Sequence, residues 1–252
     1  MKVTILGSGT GTPDGDRNSA GYFIELPSSR LLLDCGAGTV HALSRYSLPW
    51  PQLTHLFVTH FHVDHVGELA ALMWAFKYSM KSNRTAPLTL SGPHGLDRVM
   101  KGLEEAYARN LFEAPFPIQL RMLAPGENLE LEAGARLSVV KTPHTGESLA
   151  VRIDSEKRSV CYTGDTAYSE EVAEFFSGAD LLISECSFRT RREGAAHLSI
   201  DDVARMASKA GAARLVVIHF YFEVDEPALK RQLQSCFNGD VIIGRDGMTF
   251  EV

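Results

Sequence analysis

The stretch Thr59–Gly67, THFHVDHVG, decides the fold of this chain. Three histidines and one aspartate lie within six of its residues, after the apolar run HLFV. Histidine and aspartate are poor strand formers and are seldom fully buried, so a role in folding does not explain the cluster. Both residue types are common metal ligands. The cluster therefore predicts a metal site at the end of a strand, with further ligands supplied from elsewhere in the chain.

Ligand-type residues also appear at three other predicted strand ends. His144 follows the run LSVVKTP, Asp165 follows SVCYTG, and His219 ends RLVVI. Sites in α/β proteins form where strands end, so these residues are expected to meet the cluster at one edge. Taken alone, each has an ordinary alternative role, as a hydrogen-bonded histidine or a turn aspartate. Beside HFHVDH, metal ligation is the better prediction for all three.

The spacing favours two ions. His60 and His62 point to the same side because side chains alternate along an extended segment. Asp64 and His65 come after the turn and are displaced toward a second ion. The predicted ligands are His60, His62, Asp64, His65, His144, Asp165 and His219, with the last two histidines completing one ion each and Asp165 bridging. Imidazole and carboxylate suit two Zn²⁺, and Mn²⁺ or Fe²⁺ also fit. Two such ions, ~4 Å apart, can share a bridging hydroxide.

The pattern of strands and helices predicts an α/β fold, a four-layer αββα sandwich. Apolar strand runs fall into two blocks, each followed by strand–helix units, which suits two sheets packed face to face with helices outside. The predicted helices are AGTVHALSRY, GELAALMWAFKYS, GLDRVMKGLEEAYARN, SEEVAEFFSG, LSIDDVARMASKAG and EPALKRQLQSC. Ser199 is the predicted N-cap of the fifth, with Asp202 three residues on.

Composition narrows the protein class. The chain has 252 residues, is 44% hydrophobic and shows no linker or repeat, so we predict one domain spanning residues 1–252. A net charge of −6 gives no general attraction for nucleic acid. No stretch reaches the ~18 apolar residues of a membrane helix, so no membrane partner is expected. The four cysteines form no CxxC pair, which predicts reduced thiols in or near the core and a cytoplasmic location.

The motif HFHVDH, followed in order by TPHTG, TGDT and VVIHF, resembles the metallo-β-lactamase fold superfamily, whose signature is HxHxDH. The resemblance covers the whole chain and implies the same αββα sandwich. It also implies that His60, His62 and His144 bind the first ion, that Asp64, His65 and His219 bind the second, and that Asp165 bridges them.

Four further segments are similar to ribonuclease Z and its phosphodiesterase relatives: ILGSGTGTPDGDRNSAGYFIEL, LLLDCGAGT, ISECSF and AAHLSIDDVARMA. This resemblance implies that His197 protonates the leaving oxygen, that Glu185 orients His197, and that Asp64 orients or deprotonates the nucleophile. The chemistry agrees, because a diester expels an alkoxide slowly unless a general acid protonates it. Flavodiiron-type oxidoreductases carry an acidic residue where His62 stands, and the familiar lactamases carry a cysteine where Asp165 stands. Hydrolysis is therefore the expected chemistry, with the metals as Lewis acid and hydroxide source.

Three departures argue against tRNA as the substrate. Most ribonucleases Z insert a long arm between the third histidine and the bridging aspartate to grip tRNA, but only 20 residues separate His144 from Asp165 here. The family's HEAT-like motif reads SECS, and its HST reads HLS. A small or nucleotide phosphodiester is therefore the better prediction.

Two segments are candidates for contacts beyond the metal site. Arg189, Arg191 and Arg192 come shortly before His197, and a guanidinium there can bind a substrate phosphate. We predict Arg192 and Ser199 as substrate-binding residues. The segment 73–84, MWAFKYSMKSNR, is rich in methionine and aromatic residues and predicts a pocket wall or a dimer contact, with core packing as the alternative.

The predicted function is a binuclear metal-dependent hydrolase that cleaves small or nucleotide phosphodiesters through a metal-bridging hydroxide. One alternative is a tRNA 3′-processing endonuclease that binds tRNA through a different segment from that arm. Another is a lactone, thioester or phosphotriester hydrolase in which His197 is incidental. A third is a protein that binds metal and nucleic acid without turnover. A homodimer is expected from the resemblance alone.

Overall fold

Two seven-stranded β-sheets form the centre of the computed structural model, which describes residues 1–79 and 84–252. The first sheet contains β1 (Lys2–Gly7), β2 (Gly21–Glu25), β3 (Arg30–Leu33), β4 (His55–Phe57), β5 (Leu88–Pro93), β6 (Ile118–Leu123) and the last strand, β14 (Thr249–Glu251). The second contains β7 (Asn128–Glu130), β8 (Arg136–Lys141), β9 (Leu149–Ser155), β10 (Arg158–Tyr162), β11 (Leu181–Glu185), β12 (Arg214–Ile218) and β13 (Asp240–Ile243).

Each sheet has an antiparallel part and a parallel part. In the first, β14, β1, β2 and β3 pair antiparallel, and β3 to β6 pair parallel. In the second, β7 to β10 pair antiparallel, and β10 to β13 pair parallel. Parallel neighbours need a crossover, and most of the helices lie in those crossovers. The parallel parts therefore bring several strand ends to one edge of each sheet.

Helices cover the outer face of each sheet. They are α1 (Thr39–Arg45), α2 (Val63–Val66), α3 (Leu69–Tyr78), α4 (Leu96–Ala106), α5 (Glu170–Phe175), α6 (Ile200–Ala210) and α7 (Glu226–Gln234). One apolar cluster fills the space between the sheets, where Ile5 and Leu33 meet Val151 and Ile183. A second joins the second sheet to α5, α6 and α7, and a third joins the first sheet to α1, α3 and α4. The predicted four-layer αββα sandwich is confirmed.

The structure agrees with most local predictions and changes two. Ser199 caps α6, and its reciprocal hydrogen bonds with Asp202 complete the expected capping box. The four-residue helix α2 was not predicted, and it carries Asp64 and His65 away from the line of β4. Three cysteines are buried, but Cys236 is exposed just after α7, which corrects the expectation that all four lie in or near the core. Among the described residues, no helix combines the length and the apolar character that crossing a membrane requires.

His55 in β4 is a buried histidine away from the HFHVDH cluster. Its Nδ1 lies 2.8 Å from the Thr54 hydroxyl. Burial, together with the Arg84 guanidinium, lowers the pKa of His55 to about 4. Because this value lies below the unfolded-state pKa of roughly 6.5, the folded protein binds fewer protons than the unfolded chain between these two values. The stability that neutral His55 provides is therefore present above about pH 6.5 and is lost as the pH falls toward 4.

We expect His55→Gln to flatten the acid side of the stability profile. Between pH 6.5 and 4.5 the free energy of unfolding of the wild type should fall by about 2 kcal/mol more than that of His55→Gln. Urea denaturation at several pH values measures this difference. His41→Gln, at an exposed position on α1, is the control and should follow the wild type. Parallel profiles for His55→Gln and the wild type would contradict the prediction.

Candidate metal centre

Four strand ends supply the predicted ligands. The segment 60–65 follows β4, His144 follows β8, Asp165 follows β10 and His219 follows β12. His62 keeps an extended backbone and α2 begins at the next residue, so the chain turns between the first pair of ligands and the second. The apolar strands are buried within the two sheets, and the polar residues that follow them meet at one edge.

The first group consists of His60, His62, His144 and Asp165, whose ligand atoms all lie within 4.8 Å of one another. Asp165 Oδ2 lies 3.7 Å from His60 Nε2 and 3.7 Å from His144 Nε2. His62 Nδ1 lies 3.1 Å from His144 Nε2. Three ring nitrogens and one carboxylate oxygen thus surround a single point.

The second group consists of Asp64, His65 and His219, also within 4.8 Å of one another. His219 Nε2 lies 3.4 Å from Asp64 Oδ2. The other oxygen of Asp165, Oδ1, lies 3.4 Å from His65 Nε2 and 3.6 Å from His219 Nε2. The two oxygens of Asp165 therefore face different groups. The structure brings all seven predicted ligands together in two adjoining groups, and their metal binding stays a prediction.

The donor set fits divalent cations. Within the described part of the chain, the buried Nε2 atoms of His60 and His65 have no hydrogen-bond partner. A buried polar atom left unpaired costs about 1–3 kcal/mol, and a cation at each group would satisfy its unpaired nitrogen. Burial and the neighbouring imidazoles hold the pKa of His60 well below its usual value. His60 is therefore neutral, which is the form of imidazole that binds metal.

Asp34, a residue that was not predicted for the site, contacts His65 of the second group. Its buried carboxylate accepts hydrogen bonds from His65 Nδ1 at 2.7 Å, from the Tyr162 hydroxyl at 2.9 Å and from the Thr59 amide at 2.7 Å. Burial alone would lower the pKa of His65, but Asp165 and Asp34 outweigh it and raise that pKa well above its usual value. The available signal was an aspartate directly after the apolar run RLLL, comparable with Asp165 a short distance after SVCY.

A close backbone approach fixes α2 against the loop after β3. The Cys35 amide donates to the His65 carbonyl at 2.7 Å. A Cβ atom on Gly36 would lie 2.0 Å from the Asp64 carbonyl oxygen, so only glycine fits there. The GSGTG turn also reaches the site, because a Cβ on Gly11 would lie 3.5 Å from Asp64 Cγ. These contacts hold Asp64 and His65 in place.

His197 and Glu185 form a hydrogen-bonded pair at the open side of the ligand cluster. His197 Nδ1 lies 2.9 Å from Glu185 Oε1, while its distance to Asp165 Oδ2 is 3.9 Å. Glu185 is fully buried at the end of β11 and also accepts from the Ser187 hydroxyl and the Thr166 amide. Although His197 could be grouped with Asp165 as a ligand, its Nδ1 is committed to Glu185. We therefore place it outside the ligand set.

The carboxylates around His197 favour its protonated form. Burial alone would lower the pKa of His197, but the hydrogen bond to Glu185 and the nearby carboxylates raise it. With Nδ1 donating to Glu185, Nε2 is the ring atom free to meet a substrate. His197 lines a cavity of about 440 Å³.

The two predicted substrate-binding residues have different surroundings. Arg192 lines the same cavity as His197. Ser199 is fully buried, and its hydroxyl donates to Asp202 Oδ2 at 2.7 Å within the helix cap. Its hydroxyl thus caps α6, so Arg192 is the predicted contact with direct access to the cavity. Arg189 points elsewhere, over the Phe222 ring and onto the Glu223 carbonyl.

The chain matches the model of the beta-lactamase superfamily domain over residues 29–220. The probable metallo-hydrolase YhfI of Bacillus subtilis is 29% identical over 258 residues, with all of both chains covered. A crystal structure of YhfI superimposes with a TM-score of 0.85, at 27% identity, covering 100% of this chain and 98% of that one.

Two proteins from the ribonuclease Z group are also similar. Ribonuclease Z of Haloarcula marismortui is 24% identical over 304 residues, covering 98% of this chain and 96% of the relative. That alignment is longer than the 252 residues of this chain, so the relative carries insertions. The crystal structure of the short form of human tRNase Z has a TM-score of 0.81 at 22% identity, covering 100% of this chain and 99% of that one, and shows the shared fold.

Replacing Asp34 tests how the second group is held. We expect Asp34→Asn to weaken zinc binding by about 10- to 100-fold, because His65 loses the carboxylate that orients its ring. A competitive titration against a chelator measures the affinity. Tyr162→Phe is the matched control, since it removes another hydrogen bond of the same carboxylate and leaves the His65 contact intact. Equal zinc affinity in Asp34→Asn and the wild type would show that Asp34 does not orient this ligand.

Proposed function

The chain belongs to the beta-lactamase superfamily, and from this we propose that it is a metal-dependent hydrolase that cleaves small or nucleotide phosphodiesters. Relatives named metallo-hydrolase and ribonuclease Z support metal-dependent hydrolysis. The observation that carries the finer proposal is the His197–Glu185 hydrogen bond at the open side of the ligand cluster. An alkoxide that leaves phosphorus needs a proton, and a general acid at this place supplies it.

We propose that the centre holds two zinc ions. His60, His62 and His144 would hold one, Asp64, His65 and His219 the other, and Asp165 would contact both. The separate orientation of the two Asp165 oxygens supports this division. When bound, the cations would supply Lewis acidity and an activated water. Elemental analysis should find two zinc ions per chain, with manganese or iron compatible with the same donors.

Asp64 is the proposed acceptor for the attacking water. Burial alone would raise its pKa, but the hydrogen bond from His219 and the nearby His65 lower it. Asp64 is therefore an ionised carboxylate at the side of the cluster that the glycine turn covers. Such a group accepts a hydrogen bond from the nucleophile and fixes its direction of attack.

His197 is the proposed proton donor to the leaving oxygen. Its Nδ1–H is held by Glu185 Oε1, which fixes the ring and leaves Nε2 as the nitrogen that would carry the proton to be transferred. Glu185 is itself held by Ser187 and Thr166, so the pair has little freedom to rotate. We propose that Glu185 orients His197 and stabilises its charged form.

The segment between His144 and Asp165 supports a small substrate. It contains a short loop and the β9–β10 hairpin, whose turn consists of Glu156 and Lys157, both at positive φ. This hairpin leaves no room in the sequence for the long arm expected of tRNA-gripping enzymes. Phosphodiesters without a folded RNA attached are therefore the proposed substrates.

We also propose a homodimer formed through an aromatic surface at α3. Trp74 and Tyr78 are exposed with their rings 4.6 Å apart, and Tyr107 is exposed nearby on the same cavity as Trp74. Met73 and Phe76 of the same segment are buried, so the core-packing alternative holds for them. Residues 80–83 of the predicted contact segment lie outside the described residues. Clustered exposed aromatics mark protein contacts.

Sedimentation velocity tests the dimer. We expect a mass near twice the 27.7 kDa of one chain, and a monomer for Trp74→Glu, because the charge would be buried at the interface. Tyr221→Glu, which alters an exposed aromatic beside the ligand cluster, should keep the wild-type mass. A monomeric wild type would overturn this proposal.

The activity is tested with metal-replete protein on bis-p-nitrophenyl phosphate, 2′,3′-cyclic and 3′,5′-cyclic nucleotides, and a precursor tRNA. We expect turnover of small diesters and no removal of the tRNA 3′ trailer. His197→Ala should lose about 10²- to 10⁴-fold on cyclic nucleotides, whose leaving oxygen needs protonation. It should lose far less on bis-p-nitrophenyl phosphate, because nitrophenolate leaves without a proton.

Exposed His94 provides the control, since His94→Ala should match the wild type on every substrate. Equal losses of His197→Ala on activated and unactivated diesters would remove the proton-donor role. Clean trailer cleavage would instead identify a tRNA endonuclease. The absence of turnover with every diester would overturn the proposed function and favour hydrolysis of lactones, thioesters or phosphotriesters.

A further inference from the structure

Two cavities adjoin the ligand cluster. One, of about 440 Å³, is lined by His197, Arg191 and Arg192. The other, of about 360 Å³, is lined by Tyr221 and Arg17, and the Tyr221 ring lies 5.4 Å from the His219 ring. Each is within the size range of small-molecule sites. A diester has two substituents, so the two cavities provide one place for each.

The arginine side chains that line the two cavities differ in their contacts with the rest of the protein. Arg17 donates through Nη1 to the Ser8 hydroxyl at 2.8 Å and to the Gly244 carbonyl at 2.6 Å, so part of its guanidinium is held by the protein itself. Arg192 lies with its guanidinium carbon 4.1 Å from the centre of the Phe188 ring. Across residues 1–79 and 84–252, no carboxylate forms an ion pair with Arg192. Its hydrogen-bond donors remain available to a ligand, and guanidinium groups bind phosphate oxygens in pairs.

The position of His197 decides which substituent meets Arg192. A residue that protonates the leaving oxygen must contact it, so the leaving group extends into the cavity that His197 lines. The guanidinium in this cavity then lies beside the leaving group, separate from the phosphate at the ligand cluster. Arg191 is nearby, with its Nε 3.9 Å from Asp202 Oδ1 and its side chain mostly exposed.

We infer that the leaving group of the substrate carries a terminal phosphate of its own, which Arg192 binds in the cavity beside His197. This inference rests on the proposed function and names its substrate class: a diester whose leaving alcohol is itself phosphorylated, such as a nucleotide. Water forms the new bond to phosphorus and the bond from phosphorus to the leaving oxygen breaks. That oxygen takes a proton from His197, and water loses one proton to solvent. The products are a phosphate monoester and a phosphorylated alcohol, with no change of oxidation state.

A carboxylate at the same cavity would weaken the preference for a phosphorylated leaving group. Glu193 lines the cavity next to Arg192 and is exposed. Its negative charge opposes a bound phosphate, and water screens the repulsion in part. Removing the charge of Glu193 should therefore strengthen the preference for a phosphorylated leaving group, whereas removing that of Arg192 should abolish it.

Three thymidine dinucleotides test the inference, with metal-replete protein: TpT without a terminal phosphate, pTpT with one at the 5′ end and TpTp with one at the 3′ end. Deoxyribose excludes attack by a 2′-hydroxyl, and the two phosphorylated forms cover either direction of cleavage. The measured quantity is the ratio of kcat/KM for the better phosphorylated dimer to that for TpT. We expect a ratio of roughly 10 or more in the wild type, the size of one charge-assisted phosphate contact.

The variants locate the effect. Arg192→Gln should bring the ratio close to one, and Glu193→Gln should raise it. Arg189→Gln is the matched control, because it removes an equal charge from the same loop but away from the cavity, and it should keep the wild-type ratio. A wild-type ratio near one, a ratio unaffected by Arg192→Gln, or turnover of bis-p-nitrophenyl phosphate without any dinucleotide would overturn the inference and leave the proposed function standing. Silence on all diesters would overturn both.

Discussion

The Asp34 carboxylate is the interaction on which the rest of the site depends. Asp34 follows β3 in the first sheet, yet its carboxylate accepts a hydrogen bond from the hydroxyl of Tyr162 in the second sheet. It also accepts a hydrogen bond from the ring of His65. A buried charge of this kind is costly unless every oxygen is paired, and Thr59 supplies the remaining donors through its amide and hydroxyl. One fully paired carboxylate therefore connects both sheets to the cluster of predicted ligands. The packing of the two sheets and the orientation of the His65 ring are coupled through it.

The polar atoms of the site differ in whether they have hydrogen-bond partners within the protein, and this difference supports the roles proposed for them. In the described structure, the outer nitrogens of His60 and His65 lack partners, which is the condition that a cation relieves. His197 differs from them, because its Nδ1 is hydrogen-bonded to the buried Glu185 and its side chain lines a cavity. The proposed metal-binding atoms and the proposed proton donor thus lie a few ångströms apart, and their different hydrogen bonds distinguish the two proposed roles.

The sequence predicted the parts of the molecule that depend on local rules. Alternation placed His60 and His62 together, and strand ends located His144, Asp165 and His219. The capping box at Ser199 is equally local. The role of Asp34 was missed because Tyr162 lies 128 residues away, and no short-range pattern connects them. Local pattern also could not tell that the Ser199 hydroxyl faces its own helix cap, or that the closing strand β14 would pair with β1.

The β9–β10 hairpin has a consequence for handling the protein. Its turn, Glu156–Lys157, precedes β10, while Asp165 follows that strand, so the turn lies at the opposite end of the sheet from the ligands. Seven residues separate Lys157 from Asp165, so the two positions are eight residue steps apart, a span of up to ~26 Å in extended chain. The flanking strands are paired at Ser155 and Arg158, which holds the ends of the turn together. Because long connections between such paired ends cost little, a fluorophore, a surface tether or a whole guest domain inserted here would project away from the chemistry.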